Sequence, residues 1–423
     1  MIQLNDYLFS GFCVHFEKTM ATQQYDVAVV GAGPGGSAAA TYLARAGLKT
    51  ILFDKAEFPR DKTCGDGLSP RALAVLQDMG LLSQIQTVGY RITHMGLSAP
   101  SGDGFLEPIP QLKEAPAFAT IVPRFTLDNI IREQALTAGA TFRQALVRDI
   151  ERQNGQVTVR ANGSTVTAKM AVIATGANTA LLTQTGILDN YRIVPAVAAR
   201  TYFEEIAPVP PAVQFYFEGV PLPGYGWVFP LSATSANIGA GVVVSERGGK
   251  KKPPSPRSVM EAFIRSRPLQ AILKQARQIG PIKGYPLRMD FATAPTFGEH
   301  ILLAGEAAGL VNPITGEGID YALESGHIAA HHLIEMFQTG DFALTRYHQY
   351  DQKLRSHFQK LFTFSMRARQ LCLNRPMLNW LAKPAGLPVR LRRLVINIAL
   401  GNQETIDNFS WWGVLKLLWK GEG

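Results

Sequence analysis

Glycines near the start of the chain have a spacing that could hold a phosphate. Residues 25–36 read YDVAVVGAGPGG, so an apolar, β-branched run passes directly into Gly31, Gly33 and Gly36. In a strand–loop–helix unit the first glycine permits a tight turn, the second lets the backbone approach a pyrophosphate, and the third lets the helix pack on the strand. The N-terminus of the helix then offers free N–H groups to the phosphates.

An acidic residue follows at the distance that this unit requires. A helical stretch leads into a second apolar run, residues 50–53, which Asp54 closes 18 residues after Gly36. At this place a carboxylate accepts hydrogen bonds from ribose hydroxyls. Strand, loop, helix, strand and acid together predict a dinucleotide-binding unit, but they do not choose between NAD and FAD.

The next loop carries a lone cysteine. Residues 58–71 read FPRDKTCGDGLSPR, in which the basic pair Arg60 and Lys62 precedes Cys64, and Pro70 opens a helix. A loop that leaves the dinucleotide fold here can reach the ring end of a long cofactor. Most free cysteines are instead small, inert apolar residues, so both interpretations of Cys64 stay open.

A second run of small residues and acids comes late in the chain. Residues 299–319 read EHILLAGEAAGLVNPITGEGI, so a strand ends at Gly305, Glu306 follows, and Gly316 to Gly318 precede a helix predicted to reach about Met336. The N-terminus of that helix can hold an anionic oxygen, or a flavin ring carbonyl that gains charge on reduction.

The segments between these motifs read mostly as β-structure. Asn154-Gly155 is the strongest short hairpin signal, and a second hairpin is predicted at Asn162-Gly163. Residues 169–175 form a buried strand that closes at Gly176, and residues 123–128 lead into a helix over 129–137. Strands of an antiparallel sheet are predicted at 198–203, 213–218, 227–231 and 237–244.

Composition limits the class of protein. The 423 residues are 46% hydrophobic but only 18% charged, against about 25% in a typical globular chain. This length suggests two to three folding units, and the composition excludes a disordered or coiled-coil chain. Three cysteines, Cys13, Cys64 and Cys372, are too few and too scattered for a disulfide framework or a zinc site, so we expect a reducing, cytoplasmic setting and no metal.

Positive charge is concentrated in the last fifth of the chain. Of the net +9, the residues from 341 onward contribute +8, from thirteen Lys or Arg and five Asp or Glu. Such a tail can meet nucleic acid, anionic lipid or an acidic protein, or can simply be a solvated face. No apolar run approaches the ~18 residues of a membrane span. Residues 1–19 lack the basic start of a signal peptide and are expected to be either an extension ahead of Met20 or the result of a start codon assigned too far upstream.

In this order the elements resemble the FAD-binding family of the aromatic hydroxylases, and within it the geranylgeranyl reductases. The resemblance covers residues 25–336, and its markers are Gly31, Gly33, Gly36 and Asp54, residues 59–67 (PRDKTCGDG), Arg124 with Asp128, residues 225–230 (YGWVFP), and residues 305–319. The segments around Cys64 and Trp227 point to the reductases, whereas the glycine and acid motifs are shared by the whole superfamily.

The resemblance implies an α/β fold. A Rossmann-like FAD-binding domain is combined with an antiparallel-sheet substrate domain of α+β type and a helical C-terminal region. The implied segments are an N-terminal extension (1–24), the first part of the FAD-binding domain with inserted loops (25–190), the substrate domain (191–285), the return segment of the FAD-binding domain (286–340), and the basic helical region (341–423).

The resemblance also assigns site residues. Those expected to bind FAD are Gly31, Gly33, Pro34, Gly35, Gly36, Asp54, Lys55, Cys64, Gly65, Arg124, Val147, Gly176, Gly305, Glu306, Pro313, Gly316, Gly318 and Ile319. Those expected to bind substrate are Gly67, Tyr225, Trp227, Phe229 and Pro230. Cys64, Tyr225 and Trp227 are the catalytic candidates, with Cys64 and Tyr225 considered as proton donors by location only.

The implied reaction is hydride transfer from reduced flavin to a C=C bond of a geranylgeranyl chain. Two departures from the family pattern matter. Glu306 stands where the family usually has Asp, and Thr175-Gly176 stands where it usually has Asp-Gly. The second pair normally touches both the flavin pyrophosphate and the nicotinamide, so NADPH, reduced ferredoxin and another reductase all remain possible electron donors.

A lipid setting is expected for such a substrate. Residues 408–420 mix tryptophans, leucines and two lysines, a pattern typical of an interfacial amphipathic helix, although a helix packed on its own domain would also fit. We therefore expect a cytoplasmic protein at the membrane surface that acts on an isoprenoid lipid or pigment.

Three alternatives remain. A flavin monooxygenase or halogenase on the same fold is the nearest, because halogenases carry Trp-x-Trp-x-Ile-Pro and residues 225–230 are close to it. A non-catalytic flavoprotein would keep FAD without turnover, but the aromatic segment beside the flavin-facing motif argues against it. Nucleic-acid binding has no recognition motif to support it, so no nucleic-acid partner is expected.

Overall fold

The computed structural model describes residues 23–189, 191, 195–243, 254–383 and 388–410. The predicted N-terminal extension lies almost wholly outside the described residues. So does most of the tail over 408–420 for which an interfacial helix is predicted.

Eighteen strands are present in the described part of the chain. In chain order they are β1 (Gln23–Val30), β2 (Thr50–Asp54), β3 (Gly67–Leu68), β4 (Tyr90–Ile92), β5 (His94–Ser98), β6 (Gly104–Pro108), β7 (Ala119–Ile121), β8 (Thr141–Gln144), β9 (Val147–Gln153), β10 (Gln156–Ala161), β11 (Ser164–Ile173), β12 (Pro195–Glu204), β13 (Ala212–Tyr216), β14 (Gly224–Ser232), β15 (Ser235–Val243), β16 (Arg277–Arg288), β17 (Phe297–Gly298) and β18 (Ile301–Leu303).

Twelve α-helices accompany them over the same described ranges. They are α1 (Pro34–Arg45), α2 (Pro70–Asp78), α3 (Leu82–Val88), α4 (Arg124–Thr137), α5 (Ala180–Gln184), α6 (Pro256–Ile264), α7 (Arg267–Ile272), α8 (Ile319–Thr339), α9 (Leu344–Cys372), α10 (Arg375–Ala382), α11 (Val389–Ala399) and α12 (Gln403–Asp407).

The first large sheet is mainly parallel. Its order is β17-β18-β11-β1-β2-β8, and the five strands from β18 to β8 run parallel to one another. Apolar runs such as Val27–Val30 and Ile51–Phe53 are buried, as expected for a sheet covered on both faces. The hairpins predicted at Asn154-Gly155 and Asn162-Gly163 join β9, β10 and β11 at this sheet. This is the Rossmann-like unit that the sequence predicts.

The second large sheet contains the strands predicted for the substrate domain. Its order is β16-β12-β15-β14-β13-β5-β6, and every pair is antiparallel except β13 with β5. It draws β5 and β6 from residues 94–108, which the sequence places in the first FAD-binding segment. One face packs on α6 through Val259, Met260 and Phe263. The chain therefore builds this sheet from segments that are far apart in sequence.

The C-terminal helices lie against these two units. Phe358 and Phe362 of α9 pack on Phe291 and Tyr321 next to the first sheet. By contrast, α10 and α11 cover the β5–β6 end of the second sheet, where Ile396 and Leu400 join a cluster with Ile92, Met95 and Ile109. Among the described residues, no helix is both long and apolar enough to span a bilayer.

Candidate functional site

A cavity of about 980 Å³ is lined by residues of both large sheets. Its walls come from the β1–α1 loop, the loop over 60–67, strand β14 and the segment 304–319. This volume is at the upper end of the range typical of small-molecule sites, about 300–1,000 Å³. It brings together motifs that lie almost 300 residues apart in the chain.

The β1–α1 loop has the geometry of a phosphate-binding loop, and it is called the phosphate loop below. Gly31 has φ +105°, and a Cβ at this residue would lie 2.4 Å from the carbonyl oxygen of Ala174. A Cβ at Gly36 would lie 1.8 Å from the Gly31 carbonyl oxygen, so this glycine serves close packing and does not line the cavity. Gly33 is the N-cap of α1, and a glycine N-cap leaves the N–H groups of the first turn available to an anion.

Asp54 ends β2 beside this loop and is buried. Its Oδ2 accepts the Ala32 N–H at 2.9 Å and its Oδ1 accepts the Ala56 N–H at 2.9 Å. These bonds fix the carboxylate at the end of the strand while each oxygen keeps further lone-pair capacity. The position therefore fits recognition of ribose hydroxyls.

Two guanidinium groups flank the phosphate loop. A Cβ placed on Gly33 would lie 3.6 Å from Nη2 of Arg60 and 4.0 Å from Nη2 of Arg124. Both arginines pair with buried Asp128: Arg124 donates two bonds of 2.5 and 2.7 Å, and Nη1 of Arg60 lies 3.0 Å from the carboxylate. The phosphate loop, Asp54 and the paired positive charge together fit the pyrophosphate and ribose of FAD.

A buried carboxyl and ammonium lie farther along the cavity. Oε1 of Glu306 accepts the backbone N–H of Arg288 at 3.2 Å, and burial raises the pKa of this carboxyl while Lys62 opposes the rise. Nζ of Lys62 lies 3.3 Å from the ring centroid of Tyr285, and burial lowers the pKa of its ammonium. A Cβ on Gly176 would lie 3.4 Å from Oε2 of Glu306, so the longer glutamate reaches this glycine turn.

The loop over 60–67 is held against the second sheet at both ends. At one end the Asp61 carboxylate accepts a short bond from buried Arg200 of β12 and lies 2.7 Å from Nζ of Lys283 of β16. At the other end, Oδ2 of Asp66 accepts the Tyr202 hydroxyl at 2.7 Å. The residues between these two anchors line the cavity.

Asp66 and Asn237 form the more buried anchor, and neither residue is exposed to solvent. Nδ2 of Asn237 donates to Asp66 Oδ2 at 2.8 Å and to the Cys64 carbonyl at 2.7 Å, and its Oδ1 accepts the Trp227 indole N–H at 3.0 Å. Burial raises the pKa of Asp66 to about 6. One amide thus fixes both the cysteine loop and the indole opposite it.

Cys64 lines the cavity in this anchored loop. Burial raises the pKa of its thiol, and this outweighs the opposite influence of Arg124 and Lys62. The thiol is therefore protonated at neutral pH, which suits an acid better than a nucleophile.

The aromatic segment predicted for substrate forms one wall of the cavity. Because side chains alternate along β14, Tyr225, Trp227 and Phe229 face the cavity, with adjacent ring centroids 6.2 Å apart. Pro230 does not line the cavity, because the same alternation turns it to the opposite side of the strand. Gly65 faces the wall so closely that a Cβ there would lie 2.9 Å from the Phe229 ring.

Tyr225 also ties the wall to the segment before α8. Its hydroxyl donates a short hydrogen bond to the carbonyl oxygen of Thr315, and burial raises the pKa of the phenol. The hydroxyl proton of Tyr225 is thus used in a hydrogen bond to the backbone. In this geometry Tyr225 positions the aromatic wall relative to the segment before α8. The remaining predicted residues of that segment, Pro313, Gly316, Gly318 and Ile319, line the cavity beside it.

Beyond the aromatic wall the cavity becomes apolar. This apolar chamber is lined by Met95, Ile121, Val213, Phe215 and Leu400. The ring of Phe215 packs edge-on against Tyr225 and Phe229, with centroids 5.3 and 5.6 Å apart. The cavity therefore runs from a charged phosphate loop, past an aromatic wall, into a space suited to hydrocarbon.

The predicted site residues other than Gly36 and Pro230 all line this cavity. Several residues that matter here were not among them. Arg60 and Lys62 were visible in the sequence as a basic pair, but nothing there indicated which ligand they face. Asn237 carried no local signal, because its partners come from another strand and from the loop over 60–67. Glu317 lies in the marker segment 305–319, but the sequence predicted no role for it.

Comparisons with known proteins agree with this geometry. A family model described as an FAD binding domain matches residues 24–365. The menaquinone reductase of Mycolicibacterium smegmatis is 34% identical over 409 residues, covering 94% of this chain and 96% of that protein. Digeranylgeranylglycerophospholipid reductase 1 of Methanopyrus kandleri is 27% identical over 363 residues, covering 80% of this chain and 88% of that protein.

Solved structures share the fold. A geranylgeranyl bacteriochlorophyll reductase-like protein from Thermoplasma acidophilum superposes with a TM-score of 0.73 at 24% identity, covering 94% of this chain and 96% of that one. The flavin-dependent brominase Bmp2 superposes with a TM-score of 0.72 at 18% identity, covering 93% and 98%. One fold therefore serves both reductases and halogenases.

Proposed function

Since the chain belongs to the FAD-binding-domain family and, within it, to the geranylgeranyl reductases, and is an FAD-dependent oxidoreductase, we propose that it saturates C=C bonds of an isoprenoid chain. The observation that carries this proposal is the continuity of the cavity from the phosphate loop to the apolar chamber. An isoprenoid chain is a long run of apolar, methyl-branched units, and it fits such a space better than a polar substrate would.

We propose a division of labour among the residues. Reduced FAD would supply the hydride. The diphosphate half of FAD would be held by the phosphate loop, Asp54, Arg60 and Arg124. Its ribityl chain and ring would lie along Glu306 and the segment 313–319. The aromatic wall of Tyr225, Trp227 and Phe229 would hold the isoprenoid chain against the flavin ring and exclude water. An unactivated alkene accepts hydride poorly, so this positioning must contribute most of the catalysis.

The carrier of the isoprenoid chain is proposed from the relatives. Their names include a menaquinone reductase and a digeranylgeranylglycerophospholipid reductase. A quinone or a glycerolipid that bears a geranylgeranyl-type chain is therefore the substrate class to test first.

The test is the product mass after the FAD-loaded, dithionite-reduced protein meets geranylgeranyl lipids and menaquinone without air. We expect a gain of hydrogen pairs on the chain and none of oxygen. A product that appears only in air and contains a new oxygen, or a halogen when halide is added, would replace the reductase with the monooxygenase or halogenase alternative, which the shared brominase fold keeps open.

We propose NADPH or reduced ferredoxin as the electron donor. The Thr175-Gly176 turn adjoins Glu306 but lacks the family's aspartate. Anaerobic bleaching of the flavin absorbance by NADPH or by reduced ferredoxin, each tested alone, distinguishes the two.

We also propose contact of the α10–α11 region with the cytoplasmic face of a membrane. Trp380 of α10 and Leu371 near the end of α9 are exposed, and α11 carries three arginines and no acid. These helices cover the apolar chamber, so a docked enzyme would receive its substrate from the lipid. Sedimentation with vesicles that contain anionic lipid should exceed sedimentation with neutral vesicles, and the excess should fall in Trp380→Ser.

A further inference from the structure

Glu317 is a half-buried acidic residue for which the sequence predicts no role, although it lies in the marker segment 305–319. It lies in the segment that leads into α8 and lines the cavity. Its carbonyl oxygen accepts the Asn312 N–H at 2.8 Å and its own N–H lies 3.4 Å from Oγ1 of Thr315, so its backbone is held in place. The neighbouring Thr315 is the residue whose carbonyl binds Tyr225 of the aromatic wall.

One oxygen of this carboxyl has no partner. Oε2 of Glu317 is cut off from solvent and makes no hydrogen bond within the described residues. A buried polar atom without a partner is unfavourable and is rare in native proteins. Glu317 thus lines the cavity with a carboxyl whose hydrogen-bonding capacity the surrounding protein does not fully use.

The surroundings favour the neutral form of this carboxyl. Burial and the nearby Asp320 carboxylate raise the pKa of Glu317 well above its usual range, and Arg71 and the Thr315 hydroxyl oppose this rise only in part. The negative charge of the ionised form of this carboxyl contributes to the raised pKa of Tyr225, a residue of the aromatic wall. A neutral carboxyl carries an O–H that it can donate.

We propose that Glu317 supplies the proton that completes reduction of the C=C bond. This inference rests on the proposed function, in which no residue has yet been assigned as the proton donor. Hydride from reduced FAD forms a C–H bond at one alkene carbon, and the other carbon takes the proton as the O–H bond of Glu317 breaks. The alkene is reduced, FAD is oxidised, and Glu317 is left as a carboxylate that water reprotonates after product leaves.

The first readout is spectroscopic and needs no substrate. In the FAD-loaded protein, infrared spectroscopy should detect the C=O stretch of a protonated buried carboxyl at neutral pH. The band should be lost in Glu317→Gln and kept in Glu335→Gln, a control substitution of the same type at an exposed residue of α8. An unchanged band in Glu317→Gln overturns the proposal.

The second readout is a single turnover without air. The flavin is reduced with dithionite, and its reoxidation by a geranylgeranyl lipid is followed by absorbance. Removal of a general acid slows a reaction by about 10²–10⁴-fold, and we expect this loss in Glu317→Gln but not in Glu335→Gln. The flavin spectrum and reduction potential should be unchanged, because a shift in either with the slow rate would mean that Glu317 acts on the flavin and not as the proton donor.

The outcomes separate the two hypotheses. If the wild-type flavin is not reoxidised by any isoprenoid lipid, the proposed function fails and the proton donor with it. If the wild type turns over and Glu317→Gln does so at the same rate, only the proton donor fails. The wild type also gives a test without a variant, since its turnover must slow over the pH range in which the infrared band disappears; a rate that ignores this range overturns the proposal.

Discussion

Replacement of Asn237 by alanine should destabilise the protein far more than the loss of one amide from a surface would. Three hydrogen bonds end on this side chain, from the Trp227 indole N–H and to the Cys64 carbonyl and the Asp66 carboxylate. The residue is fully buried, so water cannot replace the lost partners. Asp66 keeps its bond from Tyr202, whereas the indole N–H and the Cys64 carbonyl are left unpaired.

The magnitude follows from these two orphaned groups. Each buried group that loses its partner is unfavourable by about 1–3 kcal/mol, so we expect a loss of about 4 kcal/mol in the free energy of unfolding. That is a large share of the ~5–15 kcal/mol that stabilises a typical native domain. The measurement is urea-induced unfolding of the FAD-loaded protein, followed by tryptophan fluorescence.

Two further variants sharpen this prediction. Asn408→Ala removes an exposed amide that makes one bond, to the Glu404 carbonyl, and should change stability by less than about 0.5 kcal/mol. Asn237→Asp keeps the shape but places a second carboxyl beside Asp66, so its effect should be larger at pH 8 than at pH 5. A loss below about 1 kcal/mol in Asn237→Ala, or no pH dependence in Asn237→Asp, would refute the reasoning.

Three other predictions follow from the same geometry. Gly31→Ala should abolish FAD retention, measured by flavin absorbance after purification, because its Cβ would lie 2.4 Å from the Ala174 carbonyl oxygen at φ +105°; Gly47→Ala, also at positive φ but with open space around it, should retain FAD. Burial raises the pKa of Asp66 from 3.8 to about 6, so the folded protein binds its proton more tightly than the unfolded chain does. The stabilisation from this protonation is therefore fully present below about pH 4 and is lost as the pH rises through about 6. This part of the pH dependence of the free energy of unfolding should be absent in Asp66→Asn. Tyr225→Phe should keep FAD but lower the free energy of unfolding by about 1 kcal/mol or more, because the Thr315 carbonyl loses its donor; equal stability of the variant and wild type would contradict this.

Local patterns predicted the first sheet well. The glycine loop, Asp54 and the two hairpins depend on residues that are neighbours in sequence, and their turn chemistry determines them. The same reasoning placed the start of α4 too late. The structure begins this helix at Arg124, directly after the N-cap residue Pro123, and the Arg124–Asp128 ion pair one turn apart stabilises the added turn.

Features that depend on distant pairing could not be predicted. Strand β5 pairs with β13 although Met95 and Val213 are more than a hundred residues apart, so residues 94–108 had no local sign of joining the second sheet. The partners of Asn237 come from loop 60–67 and from β14, and only the folded chain brings them together. By contrast, the absence of Pro230 from the aromatic wall follows from the alternation of side chains along β14, and this could have been predicted from the sequence.

The strand order of the first sheet also has a consequence for synthesis of the chain. Ala171 of β11 pairs with Ile301 of β18, so a growing chain makes β11 long before its neighbour exists. Until residue 303 has left the ribosome, residues 171–173 of β11 lack their parallel partner on one side, and the segment that contains Glu306 is also missing. Long-range parallel pairing of this kind is slow to form and leaves an unpaired edge open to other chains. We therefore expect the cofactor to bind late in folding, and the nascent protein to depend on chaperones until β18 is in place.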